Sequence, residues 1–60
     1  MAATRLNRYL ALAGLGTRRS VDGLVRAGRV AVDGVVAQEP SAAVEPGQRV
    51  TLDGTPVAAH

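Results

Sequence analysis

Residues 14–28, with the sequence GLGTRRSVDGLVRAG, carry the features that decide the fold of this 60-residue chain. Gly14 and Gly16 interrupt any helix that comes before them, and Thr17 is a residue type that caps the start of a new helix. The apolar residues that follow have the spacing of one helical face; they are Val21, Leu24 and Val25. Gly28 favours the end of that helix. The stretch therefore predicts a turn followed by a short amphipathic helix.

A second amphipathic helix is predicted upstream of this turn, between Arg5 and Ala13. Its apolar residues recur at the i, i+3, i+4 and i+7 positions; they are Leu6, Tyr9, Leu10 and Ala13. Tyr9 is the only aromatic residue of the chain, and its place on this stripe assigns it to the core. Arg5 and Arg8 lie side by side next to the apolar stripe.

Downstream, the apolar period changes to two, which is typical of strands. In residues 29–38, RVAVDGVVAQ, the pair Asp33-Gly34 supplies the positive φ angles of a two-residue hairpin turn. This turn predicts that two cross-strand pairs share the face that meets the helices; they are Val32 with Val35 and Val30 with Ala37.

The rest of the chain predicts a connecting loop over residues 39–47 and a third strand over residues 49–53. Val50 and Leu52 should point inward, and a second Asp-Gly pair follows the strand. The element order is α-α-β-β-β, which predicts an α+β fold with two helices packed on a small antiparallel sheet. We find no internal repeat, and the length allows only one small domain, over residues 1–60.

The charges are distributed unevenly along the chain, although the net charge is only +2. Residues 1–32 hold six arginines and one acid, whereas residues 33–60 hold one arginine and four acids. A basic first half favours a polyanionic partner, with chance clustering on a soluble domain as the alternative.

Arg18 and Arg19 occupy the first turn of the second helix, where unpaired N–H groups and the helix dipole favour anions. We interpret this position as a phosphate site, against the alternative of a solvated surface. Asp22, four residues from both arginines Arg18 and Arg26, predicts exposed ion pairs along the helix. The residues predicted to contact the polyanionic partner are Arg5, Arg8, Thr17, Arg18, Arg19, Arg26 and Arg29.

The sequence contains no set of side chains suited to acid–base, nucleophilic or metal-dependent catalysis. Its only histidine is His60, it has no cysteine, and Asp33 and Asp53 are explained by turns. We expect no catalytic residue, metal site, cofactor or small-molecule substrate. The basic and apolar start is too short and lacks the cleavage pattern of a signal peptide, so we expect no membrane segment and a cytoplasmic location.

The type of nucleic acid is narrowed by the scarcity of aromatic residues. Proteins that bind single-stranded nucleic acid stack the bases on aromatic side chains, whereas a charged surface without aromatic residues suits the shape and backbone of folded RNA. A winged helix-turn-helix bound to DNA is the rival, but that fold normally has another helix before the pair.

Five segments in this order resemble an S4 RNA-binding domain; they are RLNRYLA (5–11), TRR (17–19), LVRAGRV (24–30), VDG (32–34) and VEPGQRV (44–50). The resemblance implies an αL-type α+β fold whose helix pair grips structured RNA. Within the family, the chain is most similar to the N-terminal module of bacterial ribosomal RNA pseudouridine synthases. The resemblance implies an N-terminal fragment of a larger protein that positions a catalytic domain on ribosomal RNA, and we expect the module to be a monomer.

Arg5-Leu6-Asn7 is close to the Arg-Leu-Asp catalytic motif of those synthases, but an amide cannot act as the catalytic carboxylate. The chain by itself is therefore not expected to be an enzyme. Other departures from the family pattern are Thr17 for serine, Ser20-Val21 for a basic-alanine pair, Gly23 within the helix and Asp33 for asparagine. Three alternatives stay open: a stand-alone S4 protein of the heat-shock or ribosome-associated sort, a winged-helix-like DNA-binding domain, and a protein-interaction module.

Overall fold

The computed structural model describes residues 3–57, which form two helices and six short strands. The helices are α1 (Leu6–Leu12) and α2 (Arg18–Arg26). The strands are β1 (Thr4–Arg5), β2 (Val30–Val32), β3 (Val35–Val36), β4 (Ala43–Val44), β5 (Val50–Leu52) and β6 (Thr55–Val57). Strands β3-β2-β5-β6 form an antiparallel sheet, and β1 pairs separately with β4. The predicted α+β class is confirmed.

Both helices end in the same way. After α2, Gly28 adopts a φ of 76°, and the N–H of Arg29 donates to the carbonyl of Leu24 at 3.3 Å. After α1, Gly14 has a φ of 84°, and the N–H of Leu15 bonds to Leu10 in the same pattern. A glycine in the left-handed region lets the chain turn back and satisfy the last helical carbonyls. The predicted breaks at both glycines are confirmed.

One apolar core joins both helices to the sheet. Its buried members are Leu6, Leu10, Val21, Val25, Val30, Val44 and Val50. Tyr9 is partly buried against this core, and its hydroxyl donates to the carbonyl of Val57 at 3.1 Å. The predicted apolar faces of the two helices and the inward position of Val50 are confirmed. No helix within residues 3–57 has the length and apolarity that a membrane crossing needs.

The segment predicted as a connecting loop, residues 39–47, contains β4 and the buried Val44, so that prediction was wrong. The segment also completes the start of α1, which has no side-chain cap. The carbonyl of Ala42 accepts from the N–H of Leu6 at 2.8 Å, and that of Pro40 accepts from Asn7 at 2.9 Å. Backbone carbonyls therefore satisfy first-turn N–H groups that usually need a capping side chain.

The sheet consists of two similar hairpins, with sequences RVAVDGV (29–35) and RVTLDGT (49–55). Their inner strands β2 and β5 pair with Ala31 opposite Thr51, which relates the hairpins by an approximate two-fold axis. Asp33 and Asp53 both have a φ of 52°, as the predicted Asp-Gly turn requires. The two hairpins thus form an internal repeat, contrary to the prediction, and β6 adds a fourth strand to the three that were predicted.

The predicted register of the first hairpin is confirmed, with Val32 opposite Val35 and the N–H of Ala37 donating to Val30 at 2.9 Å. The predicted burial of Val35 was wrong, because its side chain is 71% exposed. Strand β3 lies at the edge of the sheet, so Val35 extends past the core.

Candidate nucleic-acid interface

Seven residues, six arginines and Thr17, were predicted to contact RNA. Three of the arginines line one groove beside α1. Arg5 precedes the first turn of α1, Arg8 lies in that turn, and Arg18 begins α2. The groove has a volume of about 550 Å³, and its remaining lining residues are Ala3, Thr4 and Leu12. Because α1 and α2 pack against each other, Arg18 lies beside two arginines that precede it by ten or more positions.

The positive charge of this groove has no carboxylate partner within residues 3–57, where the only ion pair joins Arg29 to Asp53. The guanidinium of Arg5 donates from Nη1 to the carbonyl of Ser41 at 3.4 Å, a long bond to a neutral acceptor. Several like charges held together without compensation favour an anionic ligand.

The start of α2 adds backbone donors to the same region. Thr17 caps the helix, since its Oγ1 accepts from the N–H of Ser20 at 3.2 Å. The Ser20 hydroxyl donates to the carbonyl of Thr17 at 3.1 Å, and the first turn holds no acid. The N–H groups of Arg18 and Arg19 have no acceptor inside the helix, so they favour an anion. The structure assigns Thr17 a capping role; its contact with RNA stays a prediction.

Arg19 and Arg26 are exposed and lie seven positions apart on α2, and therefore on the same side of the helix. Arg26 lines a separate groove, beside Val36 and Gln38 of the first hairpin. The structure thus does not bring Arg26 into the groove of Arg5, Arg8 and Arg18.

The ion pairs predicted between Asp22 and the arginines Arg18 and Arg26 are not formed, so that prediction was wrong. The Oδ1 atom of Asp22 is instead buried, with no hydrogen-bond partner among the described residues. A four-residue spacing brings two side chains near each other but leaves their rotamers free to point elsewhere.

Arg29 is the predicted contact residue whose charge is compensated. Its Nε donates to both carboxylate oxygens of Asp53, at 3.1 and 3.2 Å, and its Nη2 donates at 2.5 Å. These hydrogen bonds from Arg29 lower the pKa of Asp53, and the carboxylate raises the pKa of Arg29. Both side chains remain about half exposed, at 49% and 53%. Sequence reasoning missed the pair because it assigned Asp53 to its turn alone.

Among residues 3–57, Leu12 is the one large apolar residue that lines this groove, and it was not among the predicted contact residues. It is 51% exposed, although it belongs to an apolar run of the chain. The exposure of Leu12 could have been predicted from the sequence, because Leu12 falls outside the i, i+3, i+4 and i+7 stripe of α1 that faces the core.

Comparison with known proteins places this chain in a family. The family model described as "S4 domain" matches residues 4–50, which contain both helices and the first hairpin. Relatives named "Ribosomal large subunit pseudouridine synthase B" from Shigella flexneri and Escherichia coli (strain K12) are 41% identical over 51 residues. The "Uncharacterized RNA pseudouridine synthase YtzG" from Bacillus subtilis (strain 168) is 43% identical over 54 residues.

These alignments cover 83% and 88% of this chain but only 18% and 23% of the respective relatives. The chain thus spans about a fifth of the length of the curated relatives it matches. Since the family model covers most of the chain, including both helices and the residues of the arginine groove from Thr4 onward, the chain belongs to the S4 domain family.

Proposed function

We propose that this chain is an RNA-binding module that docks on structured RNA, and specifically ribosomal RNA, through its two helices. The observation that carries the proposal is the convergence of Arg5, Arg8 and Arg18 on one groove, without a carboxylate partner in residues 3–57. Relatives named as ribosomal large subunit pseudouridine synthases support the choice of ribosomal RNA.

Each guanidinium in the groove offers a planar set of N–H donors that matches the oxygens of a phosphate. The N-terminus of α2 adds backbone donors and a favourable dipole beside Arg18 and Arg19. Arg26 and Arg29 extend the basic surface, with Arg29 contributing least because Asp53 neutralises it. Thr17 acts mainly by holding the start of α2 in place.

The module serves a larger protein in this proposal. Its relatives are named as pseudouridine synthases and are about five times as long as the matched segment, so residues 1–60 form one domain that positions a catalytic domain on the RNA. The chemistry belongs to that other domain. With ribosomal RNA as its partner, the protein acts in the cytoplasm in this proposal. The module binds the RNA as a monomer.

The salt dependence of binding tests the proposal. Neutralisation of phosphates by three to five arginines gives a slope of log K against log salt of about −2 to −4. Fluorescence anisotropy with a labelled stem-loop of large-subunit ribosomal RNA, at four salt concentrations, measures this slope.

Arg8→Gln and Arg49→Gln form a matched pair for the same titration. Arg8 lies in the groove, so its loss should make the slope shallower by about 1. Arg49 is exposed but lies in another groove, with Gly34 and Thr51, so its loss should leave the slope almost unchanged. A flat salt response of the parent chain, or equal effects of the two substitutions, contradicts the proposal.

A further inference from the structure

Leu12 places a large apolar side chain among the arginines of the groove. A single exposed leucine is ordinary on a protein surface. This one, however, is 51% exposed and shares its groove with Arg5, Arg8 and Arg18. Leu12 follows Arg8 by four positions on α1, so the two side chains are neighbours along the helix. The groove therefore combines phosphate-binding groups with an apolar surface.

A continuous RNA duplex cannot use both features. Its outer surface presents phosphates and 2′-hydroxyls, while the faces of its bases stack on one another inside the helix. Phosphate contacts alone would leave Leu12 in water or against charged oxygens. An unstacked nucleotide, in contrast, offers a phosphate and the apolar face of a base together.

We propose that this groove holds one unstacked nucleotide of the bound RNA, with its base packed against Leu12 and its flanking phosphates held by the three arginines. This inference rests on the proposed function and names its ligand more closely. The volume of about 550 Å³ lies in the range of pockets that enclose small ligands. Apolar side chains, as well as aromatic ones, hold bases that have left the stack.

The preferred RNA is then a stem interrupted by a bulge or loop. A leucine contacts the faces of all four bases in the same way, so the groove selects an unpaired nucleotide with little preference for its identity. The scarcity of aromatic residues limits the strength of stacking but does not prevent packing of a base, because Leu12 supplies the apolar surface.

The experiment compares two blunt-ended RNA duplexes of the same sequence without loops, one of which carries a single unpaired nucleotide in one strand. Anisotropy titrations with the 60-residue chain should give tighter binding to the bulged RNA. Leu12→Ala should weaken binding to the bulged RNA about fivefold, the size expected when part of a leucine side chain loses its contact. Binding to the unbroken duplex should change less than about twofold, and the salt slope should stay the same for both.

Val35→Ala is the matched control, because Val35 is 71% exposed on β3 and lies outside both this groove and the groove of Arg26. It should leave binding to both RNAs unchanged, and Leu12→Met should keep most of the preference for the bulge. Thermal unfolding of each variant checks that the fold is retained.

Equal effects of Leu12→Ala on the two RNAs, or no effect on either, overturn the inference. If the parent chain still binds RNA with a steep salt dependence in that case, the proposed function stands without it. If the parent chain binds neither RNA, the proposed function fails and this inference fails with it.

Discussion

The Arg29 guanidinium and the Asp53 carboxylate pair across strands β2 and β5, and the N–H of Asp53 donates to the carbonyl of Arg29 at 2.8 Å. At the other end of the same two strands, the N–H of Asp33 donates to the carbonyl of Arg49 at 2.7 Å. There the carboxylate of Asp33 accepts instead from the backbone of Arg49 and from the Gln48 side chain, at 2.9 and 3.1 Å. The two hairpins therefore share their backbone hydrogen bonds but differ in the partners of the aspartate. Asp53 forms an ion pair with an arginine side chain, whereas Asp33 accepts from a backbone N–H and a side-chain amide.

Asp53→Asn should flatten the pH dependence of the unfolding free energy between about pH 5 and pH 3. Hydrogen bonds from Arg29 lower the pKa of Asp53 in the folded state. A carboxylate of this kind stabilises the fold above its unfolded pKa, about 3.9, and this contribution is lost as the pH falls through the folded pKa. Asparagine accepts the left-handed φ of 52° at this turn, so the hairpin is kept.

Urea unfolding followed by circular dichroism from pH 7 to pH 2.5 measures this effect. Glu39→Gln is the charge-matched control, because it removes a carboxylate that makes no ion pair within residues 3–57. Its unfolding free energy at pH 7 should stay close to that of the parent chain. Superimposable profiles for Asp53→Asn and the parent would show that the ion pair has no role in stability.

Gly23→Ala and Gly28→Ala should change stability in opposite directions. Gly23 lies inside α2, and a Cβ atom there would meet nothing within 4 Å, so alanine should stabilise the fold by about 0.5–1 kcal/mol. Gly28 has equal space but a φ of 76°, so alanine there should cost about 1–2 kcal/mol. Thermal and urea unfolding of both variants provide the measurement. Stabilisation by Gly28→Ala would be inconsistent with the helix end described above.

Arg18→Glu and Arg19→Glu should each weaken RNA binding across many sequences, and Arg49→Glu should weaken it less. Both arginines lie in the first turn of α2, where the dipole opposes positive charge in the free protein. Their replacement by glutamate should therefore keep stability or raise it by up to about 1 kcal/mol. The measurement pairs anisotropy with urea unfolding for the three variants. If Arg49→Glu causes the largest loss of affinity, the RNA lies on the sheet side.

The isolated chain should form no pseudouridine. Asp33 and Asp53 are held in turns and hydrogen-bonded by their neighbours, and an oxygen of Asp22 is buried, so these carboxylates are poorly placed for acid–base or nucleophilic chemistry. Because pseudouridine has the same mass as uridine, carbodiimide labelling followed by primer extension on unmodified transcripts of large-subunit ribosomal RNA provides the assay, with the full-length Escherichia coli relative as positive control. Turnover that stays with the chain through repeated purification would reverse this expectation.

The parts of the fold that the sequence predicts correctly are those set by local chemistry. Thr17 as a cap, Gly28 as a helix end and Asp33-Gly34 as a hairpin turn each depend on one or two residues and their immediate neighbours. The strands β1 and β4 have only two residues each, too few for a periodic pattern. Their pairing depends on where the start of α1 lies relative to a segment nearly forty positions away.

The candidate site likewise combines features that follow from the local sequence with features that depend on how the elements pack. The arginines are evident in the sequence, but their grouping depends on how α1 packs against α2, which leaves Arg26 in a separate groove. Arg29 and Asp53, which form the ion pair, are 24 positions apart in the sequence. Each of them can also be explained by its immediate neighbours, so the pair was not predicted. The contact of Leu12 with the groove, likewise, is a property of the packed helices and not of its own segment.

The hydrogen bond from Tyr9 to Val57 fixes a direction as well as a contact. Val57 is held on two sides, by the hydroxyl of Tyr9 and by its pairing with Val50 in β5. Tyr9 directly follows Arg8 on α1, so the position of Val57 is fixed relative to the arginine groove. The end of β6 therefore keeps a constant orientation relative to the groove in which we propose that RNA binds.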